Sequence, residues 1–322
     1  MILLLTALTV TGCGNNGLDD YKKAVEKTEL IARGQCSGES TFTFDFNTEG
    51  LNQKSINELS YYKNITSKFQ ATFDHEKKQG IYRNYLNLGG LGFDLDVFQN
   101  GDEMYAKLPV IGKYVKLDEL KQKADQTAET PSEFLSERTL EALGSEWIHM
   151  LNEDDVLKGK DIILTTPDGE VKTTVYTITP KDSQVKAFEE KAVDILFRDE
   201  QLKKFYETSI LPNFKLQDNM TFEKLAAKMK ERIRKDTVSD FRFTAYVDID
   251  GYIVNETLEM MIKRDGAGPG EPESIGFRLE VNKWDINKEQ KFEFPELNEE
   301  NILKTEELGD TMPSAFRDLF KE

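Results

Sequence analysis

The sequence predicts an α+β fold in which a strongly curved antiparallel sheet, a half-barrel of about 10–12 strands, carries helices packed on its concave face. Apolar and polar residues alternate with a period of two in many short segments, which is typical of half-buried strands. Short turns join these segments, and strands joined by short turns pair antiparallel. Segments with helical spacing lie at the start and in the middle of the chain. No linker rich in Pro, Gly or Ser divides the 322 residues, so we expect a single domain over residues 18–322.

The first half of the chain is predicted to be one helix followed by a meander of strands. Leu18, Tyr21 and Val25 recur at helical spacing and predict a helix near residues 18–33, which Gly34 ends. Three phenylalanines at alternate positions then predict an unusually clean strand: Phe42, Phe44 and Phe46. Further strands are expected near residues 65–73, 81–88, 92–99, 104–108 and 113–117, with Asn100-Gly101 as a hairpin turn.

The second half alternates helices with strands. A capping box at residues 130–133 (Thr-Pro-Ser-Glu) predicts the start of a helix that continues through Trp147. A strand pair is expected on either side of Pro167-Asp168-Gly169, at residues 160–166 and 170–179. Helical stripes follow at residues 185–195 and 222–233, then strands at 241–249, 254–263 and 275–281. The acidic segment 295–322 is expected to carry short helices.

Two local patterns point to a family. One is the helix ending near Gly34 followed by the alternating strand Phe42-Thr-Phe44-Asp-Phe46. The other is Glu103-Met-Tyr105-Ala-Lys-Leu-Pro109 leading into Gly112-Lys-Tyr114-Val-Lys116-Leu-Asp118, which is similar to a segment of many secreted lipoproteins of Gram-positive bacteria, with Tyr114 where tryptophan is usual. In element order nearly all of the mature chain resembles the LolA-like and LppX-like lipoprotein superfamily. The resemblance implies a half-barrel that binds or carries lipids or lipoproteins in its concave cavity.

Eight phenylalanines on the predicted strand faces are the candidates for lining such a cavity. They are Phe42, Phe44, Phe46, Phe69, Phe73, Phe241, Phe243 and Phe277. Ligand pockets are concave and mostly apolar, which fits these side chains. An ordinary core of sheet packed on helices would use the same residues, so the sequence leaves open whether the interior is hollow or filled.

The N-terminal residues resemble the signal peptide and lipobox of bacterial lipoproteins. A short apolar stretch ends at Val10-Thr11-Gly12-Cys13, and a Gly/Asn segment follows. Residues 1–12 are therefore interpreted as a signal peptide, Cys13 as the acylated residue and residues 13–17 as a flexible tether. Two acyl chains on Cys13 would hold the protein on the outer face of the cell membrane. The alternative is a frayed or buried N-terminal segment with an incidental cysteine.

Composition excludes several classes of function. The formal net charge of −17 disfavours binding to nucleic acid and to anionic lipid surfaces. With Cys13 acylated, Cys36 is the single remaining cysteine, which fits a buried small residue better than a bond between chains. His75 and His149 have no accompanying ligand cluster, and the Asp248-Ile-Asp250-Gly251 turn departs from a calcium loop. We predict no metal and no cofactor.

No catalytic motif stands out. Neither histidine has a recognisable nucleophile or acid partner, and the sequence contains no nucleophile elbow, phosphate loop or metalloprotease helix. We therefore expect a protein that is not an enzyme, an anchored lipoprotein that binds an apolar ligand such as a lipid or acyl chain. The alternative is a cell-envelope module with a filled core that binds another protein through a sheet edge or its acidic surface.

Overall fold

The computed structural model describes residues 17–107, 112–117, 135–207 and 220–303. In these ranges the chain forms one 11-stranded antiparallel sheet and six α-helices. The helices are α1 Gly17–Glu29, α2 Gln53–Ser60, α3 Glu137–Met150, α4 Asp182–Leu196, α5 Glu200–Phe205 and α6 Phe222–Lys235. The strands are β1 Arg33–Phe46, β2 Asn64–Asp74, β3 Gln79–Leu88, β4 Leu91–Asn100, β5 Glu103–Lys107, β6 Tyr114–Lys116, β7 Val156–Thr166, β8 Gly169–Ile178, β9 Thr237–Asp248, β10 Ile253–Lys263 and β11 Pro272–Trp284.

The sheet consists of two meanders joined at its centre. The strand order is β6-β5-β4-β3-β2-β1-β11-β10-β9-β8-β7, so strands that follow one another in the chain are neighbours except at the junction of β1 and β11. At that junction Phe42 lies opposite Phe277. Strands β6 and β7 are the two edges of the described sheet, which is not closed into a barrel. The α+β class, the antiparallel pairing and the number of strands agree with the prediction.

One face of the sheet is apolar over most of its width. Residues directly opposite each other in antiparallel strands point to the same face. The register places the following side chains on this apolar face: Phe42, Phe44, Ile65, Phe69, Leu95, Phe243, Leu258, Met260, Ile275, Phe277 and Leu279. The apolar residues that alternate with polar ones in the sequence therefore point to one face of the sheet, and the polar ones point to the other.

The buried core lies where helices cover the apolar face near β7–β10. Leu18, Tyr21 and Ala24 of α1 pack in one cluster with strand residues that include Ile178 and Ala245. Hydrogen bonds fix α1 in place, because the Ile253 amide donates to Thr28 Oγ1 at 2.9 Å. Among the helices of the described residues, none is both long and apolar enough to cross a membrane.

Ion pairs join the helices into a layer. Lys191 of α4 lies 2.7 Å from Glu146 of α3, and Arg234 of α6 makes two hydrogen bonds to Glu190 of α4, at 2.9 and 3.0 Å. These pairs lie near the surface, so each contributes modestly, by about 0–1 kcal/mol. Together they keep α3, α4 and α6 side by side over the sheet.

The predicted end of the first helix was wrong, and Leu135 and Ser136 are not helical, so the helix of Trp147 does not run unbroken from residues 130–133. The first helix ends at Glu29, before Gly34, because Arg33 already pairs with Asp74 of β2 and Gln35 with Trp284 of β11. Helix α3 begins at Glu137 with Ser136 as its N-cap, whose Oγ accepts a hydrogen bond from the Thr139 amide. Gly17, predicted as the end of the tether, is the first residue of α1. The signal peptide, Cys13, the capping box at 130–133 and the tail beyond residue 303 lie outside the described residues.

Candidate functional site

A mostly apolar pocket of ≈470 Å³ lies between the helix layer and the apolar face of the sheet. Its walls come from α1, α3 and α4 and its floor from β9 and β10. The lining residues are Tyr21, Val25, Glu29, Leu143, Gly144, Trp147, Val185, Phe188, Glu189, Phe241, Phe243, Glu256, Leu258 and Met260. The volume falls within the range of about 300–1,000 Å³ that is typical of small-ligand sites.

The spacing of the lining residues follows the geometry of each element. On α1 the lining residues are Tyr21, Val25 and Glu29, four residues apart, which is one side of a helix. The α3 and α4 residues recur at the same three- and four-residue spacing. On β9 and β10 the lining residues alternate, as side chains on one face of a strand do. Each element therefore contributes a single face to the pocket.

Trp147 is the centre of an aromatic wall. Its ring centroid lies 5.5 Å from that of Phe243, 5.8 Å from that of Phe188 and 6.1 Å from that of Phe241. Its indole Nε1 donates a hydrogen bond of 3.0 Å to the hydroxyl oxygen of Tyr21. Burial raises the pKa of Tyr21 above its ordinary value, against the lowering effect of this hydrogen bond. Tyr21 therefore stays neutral and links α1 to α3.

Three carboxylates interrupt the apolar lining: Glu29, Glu189 and Glu256. Glu256 is neutralised by Lys283 on the neighbouring strand, with an N–O distance of 2.5 Å. Burial raises the pKa of Glu189 to about 7, and the negative charges of Asp182 and Asp236 add to the effect, while Lys186 opposes it. None of the described residues that line the pocket is Lys, Arg or His.

Asp199 holds the start of α3 against the start of α5. One carboxylate oxygen accepts hydrogen bonds from Ser136 Oγ at 2.7 Å and Thr139 Oγ1 at 2.5 Å. The other accepts from the Gln201 amide at 2.8 Å and the Leu202 amide at 3.0 Å. Burial alone would raise the pKa of Asp199, but hydrogen bonds from Thr139, Leu202 and Ser136 bring it well below its ordinary value. This carboxylate therefore fixes the position of α3, which carries Trp147 to the pocket.

The eight predicted phenylalanines divide into three groups. Phe241 and Phe243 line the pocket. Phe42, Phe44, Phe46 and Phe277 form a row of ring contacts with centroids 4.7–6.3 Å apart, here called the aromatic row. Phe69 lies over Gly38, so close that a β-carbon there would be 2.3 Å from its ring, and Phe73 packs on His75 at 4.8 Å.

The aromatic row continues the floor of the pocket across the sheet. Met260 lines the pocket and lies opposite Phe277, which in turn lies opposite Phe42. Phe42 is 37% exposed, so the row is only partly covered by the described residues. Apolar surface thus extends from the pocket to the central seam of the sheet.

The sequence predicted that Tyr21, Trp147 and Phe188 lie on the apolar faces of helices. It did not identify them as residues that line a pocket. Glu189 and Gly144 carried no signal of their own. Gly144 stands out only in the structure, where a β-carbon would lie 3.3 Å from Glu29 Oε1.

A second concave surface and several other polar groups lie outside this pocket. A groove of ≈710 Å³ crosses β1–β5 and β11 on the opposite face of the sheet, and charges of both signs line it, with Lys68 3.2 Å from Glu39.

Cys36 is free and partly buried, and burial raises the pKa of its thiol. In the part of the chain that the structure describes, no three His, Cys, Asp or Glu side chains are grouped as metal ligands. Asp248 instead accepts a hydrogen bond of 2.8 Å from the Tyr252 amide and closes a turn.

No family model and no curated protein matches the chain. Among solved structures, the MucA/MucB complex of Pseudomonas aeruginosa is similar at 11% identity and a TM-score of 0.24, over 85% of this chain and 59% of that one. A second structure of MucB in complex with MucA matches at 12% identity and a TM-score of 0.23, over 85% and 57%. A β-barrel-like protein of the DUF1849 domain from Brucella abortus matches at 11% identity and a TM-score of 0.18, over 80% and 100%. The chain thus spans less than two thirds of the length of the first two.

Proposed function

We propose that this protein binds an apolar ligand, such as a lipid or a single acyl chain, in the pocket between α1, α3, α4 and the sheet. The pocket itself carries the proposal: ≈470 Å³ of space is lined mainly by aromatic and aliphatic side chains. A concave, mostly apolar space of this size is the kind of site that small ligands occupy. The size suits one chain better than a whole lipid with two chains.

Binding would be non-covalent. Each Å² of apolar surface removed from water contributes about 25 cal/mol, so a buried chain gains affinity in proportion to its length. In this proposal the helices shift to admit the ligand, and the face that they cover is the concave face of a curved sheet. Acylation of Cys13 would place this pocket at the outer surface of the cell membrane, where such ligands are available.

Filling the pocket tests the proposal. Gly144 lies on α3 with its α-carbon facing the pocket, and the atom nearest to an added β-carbon is the mobile end of Glu29. Gly144→Leu is expected to lower the affinity for a fluorescent acyl chain with an uncharged head group by about tenfold or more, because the new side chain occupies the ligand's space. Replacing a mid-helix glycine also favours the helix, so the variant should remain folded.

Ser145→Leu is the matched control. Ser145 is the next residue on α3, is exposed and bonds to His149 rather than to the pocket. The same leucine there should leave the affinity unchanged. If wild-type protein freed of lipid takes up none of this uncharged probe, or if both variants bind it equally well, the proposal is wrong.

A second function, binding of another protein, is favoured by the aromatic row. These rings are partly exposed, and the register continues their face from Phe42 through Ile65 and Leu88 to Leu91, which is 66% exposed. Contiguous apolar patches of this kind are typical of interaction surfaces. A ligand assay in which Gly144→Leu has no effect would favour this alternative.

A further inference from the structure

Apart from Glu256, which is paired with Lys283, the charged residues that line the pocket are acidic and unpaired within the described residues. Lys283 neutralises Glu256, which leaves Glu29 and Glu189 as the acidic groups of the lining. Within the described residues neither Glu29 nor Glu189 forms an ion pair. The negative charges of Asp182 and Asp236 also act on Glu189, and the nearby cation Lys186 lies 3.4 Å from Asp182. A ligand carboxylate would therefore meet repulsion without a compensating cation.

The aromatic wall adds a feature that suits a cation. Phe188 and Phe243 stand at 75° and 61° to the Trp147 ring, and all three side chains line the pocket. Ammonium groups bind over aromatic faces, and tryptophan is the strongest partner. The carboxylates Glu29 and Glu189 lie in the lining of the same pocket. Aromatic rings together with carboxylates are the usual recognition set for an alkylammonium group.

We infer that the pocket selects amphiphiles whose head group is an amine or a quaternary ammonium over those with a carboxylate head. This inference rests on the proposed function and names the ligand class of the same site. The apolar tail lies along Leu258, Met260 and the sheet floor, and the charged head lies between Trp147 and the two free glutamates. The net charge of −17 adds a favourable field for such a ligand over the whole molecule.

Three probes with the same tail test the charge preference. Dodecyltrimethylammonium, dodecanol and dodecanoate are titrated into the full chain by calorimetry, below their micelle concentrations and at about pH 8, where the Glu189 carboxyl is ionised. The ammonium probe is expected to bind about tenfold more tightly than dodecanoate, with dodecanol between them. Equal affinities, or tighter binding of dodecanoate, would overturn the inference and leave the proposed function standing.

Glu29→Gln/Glu189→Gln identifies the residues responsible. The double variant is expected to lose about tenfold in affinity for the ammonium probe and to keep its affinity for dodecanol. The matched control, Glu190→Gln/Glu231→Gln, removes the same two charges from groups paired with Arg234 and Lys235 outside the pocket. An equal loss in both double variants would overturn the inference, since the effect would then come from net charge. Failure of all three probes to bind would instead overturn the proposed function.

Discussion

The buried side chain of Asp199 caps α5 and also binds the residues at the start of α3. It is 4% exposed, and its oxygens accept hydrogen bonds from the starts of both α3 and α5. A buried carboxylate without those donors would be strongly destabilising. The bonds therefore offset the cost of burying the charge and hold α3 at the angle that brings Trp147 over the sheet.

Asp199→Asn is expected to reduce the free energy of unfolding at neutral pH by about 2–3 kcal/mol, because the amide offers weaker acceptors and a misplaced donor. The low folded-state pKa of Asp199 means that its stabilisation is fully present above the unfolded value of 3.8 and is lost as the pH falls through the folded value. Urea unfolding at pH 7 and at about pH 3 measures both effects. The exposed Asp265→Asn control should change little, and a similar loss in it would contradict the assignment.

Helix α1 depends on a few specific contacts for its position. Tyr21 is 2% exposed, packs edge-on against Phe243 and accepts the hydrogen bond from Trp147. The Thr28 hydroxyl accepts from the backbone of β10 further along the same helix. Because α1 forms a wall of the pocket, these contacts also set the pocket's shape.

Tyr21→Phe is expected to cost about 1–2 kcal/mol of stability, because the Trp147 indole N–H loses its acceptor in a partly buried site. The near-ultraviolet circular dichroism of tryptophan should change with it. Tyr62→Phe is the control, since Tyr62 is 53% exposed. Equal stability of the two variants would show that the Tyr21–Trp147 bond contributes nothing to holding α1.

Strands were predictable from the sequence because their signal is local. The alternation of Phe42, Phe44 and Phe46 records a pleat in which three side chains share a face, whatever lies elsewhere in the chain. Only part of the pocket lining could be predicted from the sequence. Tyr21 and Trp147 are 126 residues apart, and their meeting depends on how α1 and α3 pack, which periodicity does not encode. The N-cap of α3 at Ser136 was missed for a similar reason, since Ser136 owes its position to Asp199 on another element.

At the scale of the whole molecule, the proposed membrane location rests on Cys13. Cys13→Ser is expected to move the protein from the membrane fraction to the soluble extracytoplasmic fraction, because a diacyl anchor supplies the two chains needed for stable attachment. Cell fractionation with mass spectrometry of the intact protein measures location and acyl mass together. Cys36→Ser is the matched control, as the chain has two cysteines. Retention of Cys13→Ser at the membrane would contradict the anchor.

The seam between β1 and β11 also governs how the chain reaches its fold. Strand β1 ends at Phe46 and β11 begins at Pro272, so the central pairing must wait until most of the polypeptide has been made. Until then the first meander presents an unpaired strand edge that carries the phenylalanines of β1, which is a hazard for aggregation. Pairing over such a long loop is intrinsically slow. Closing this seam is therefore the step at which a nascent chain most needs protection from its neighbours.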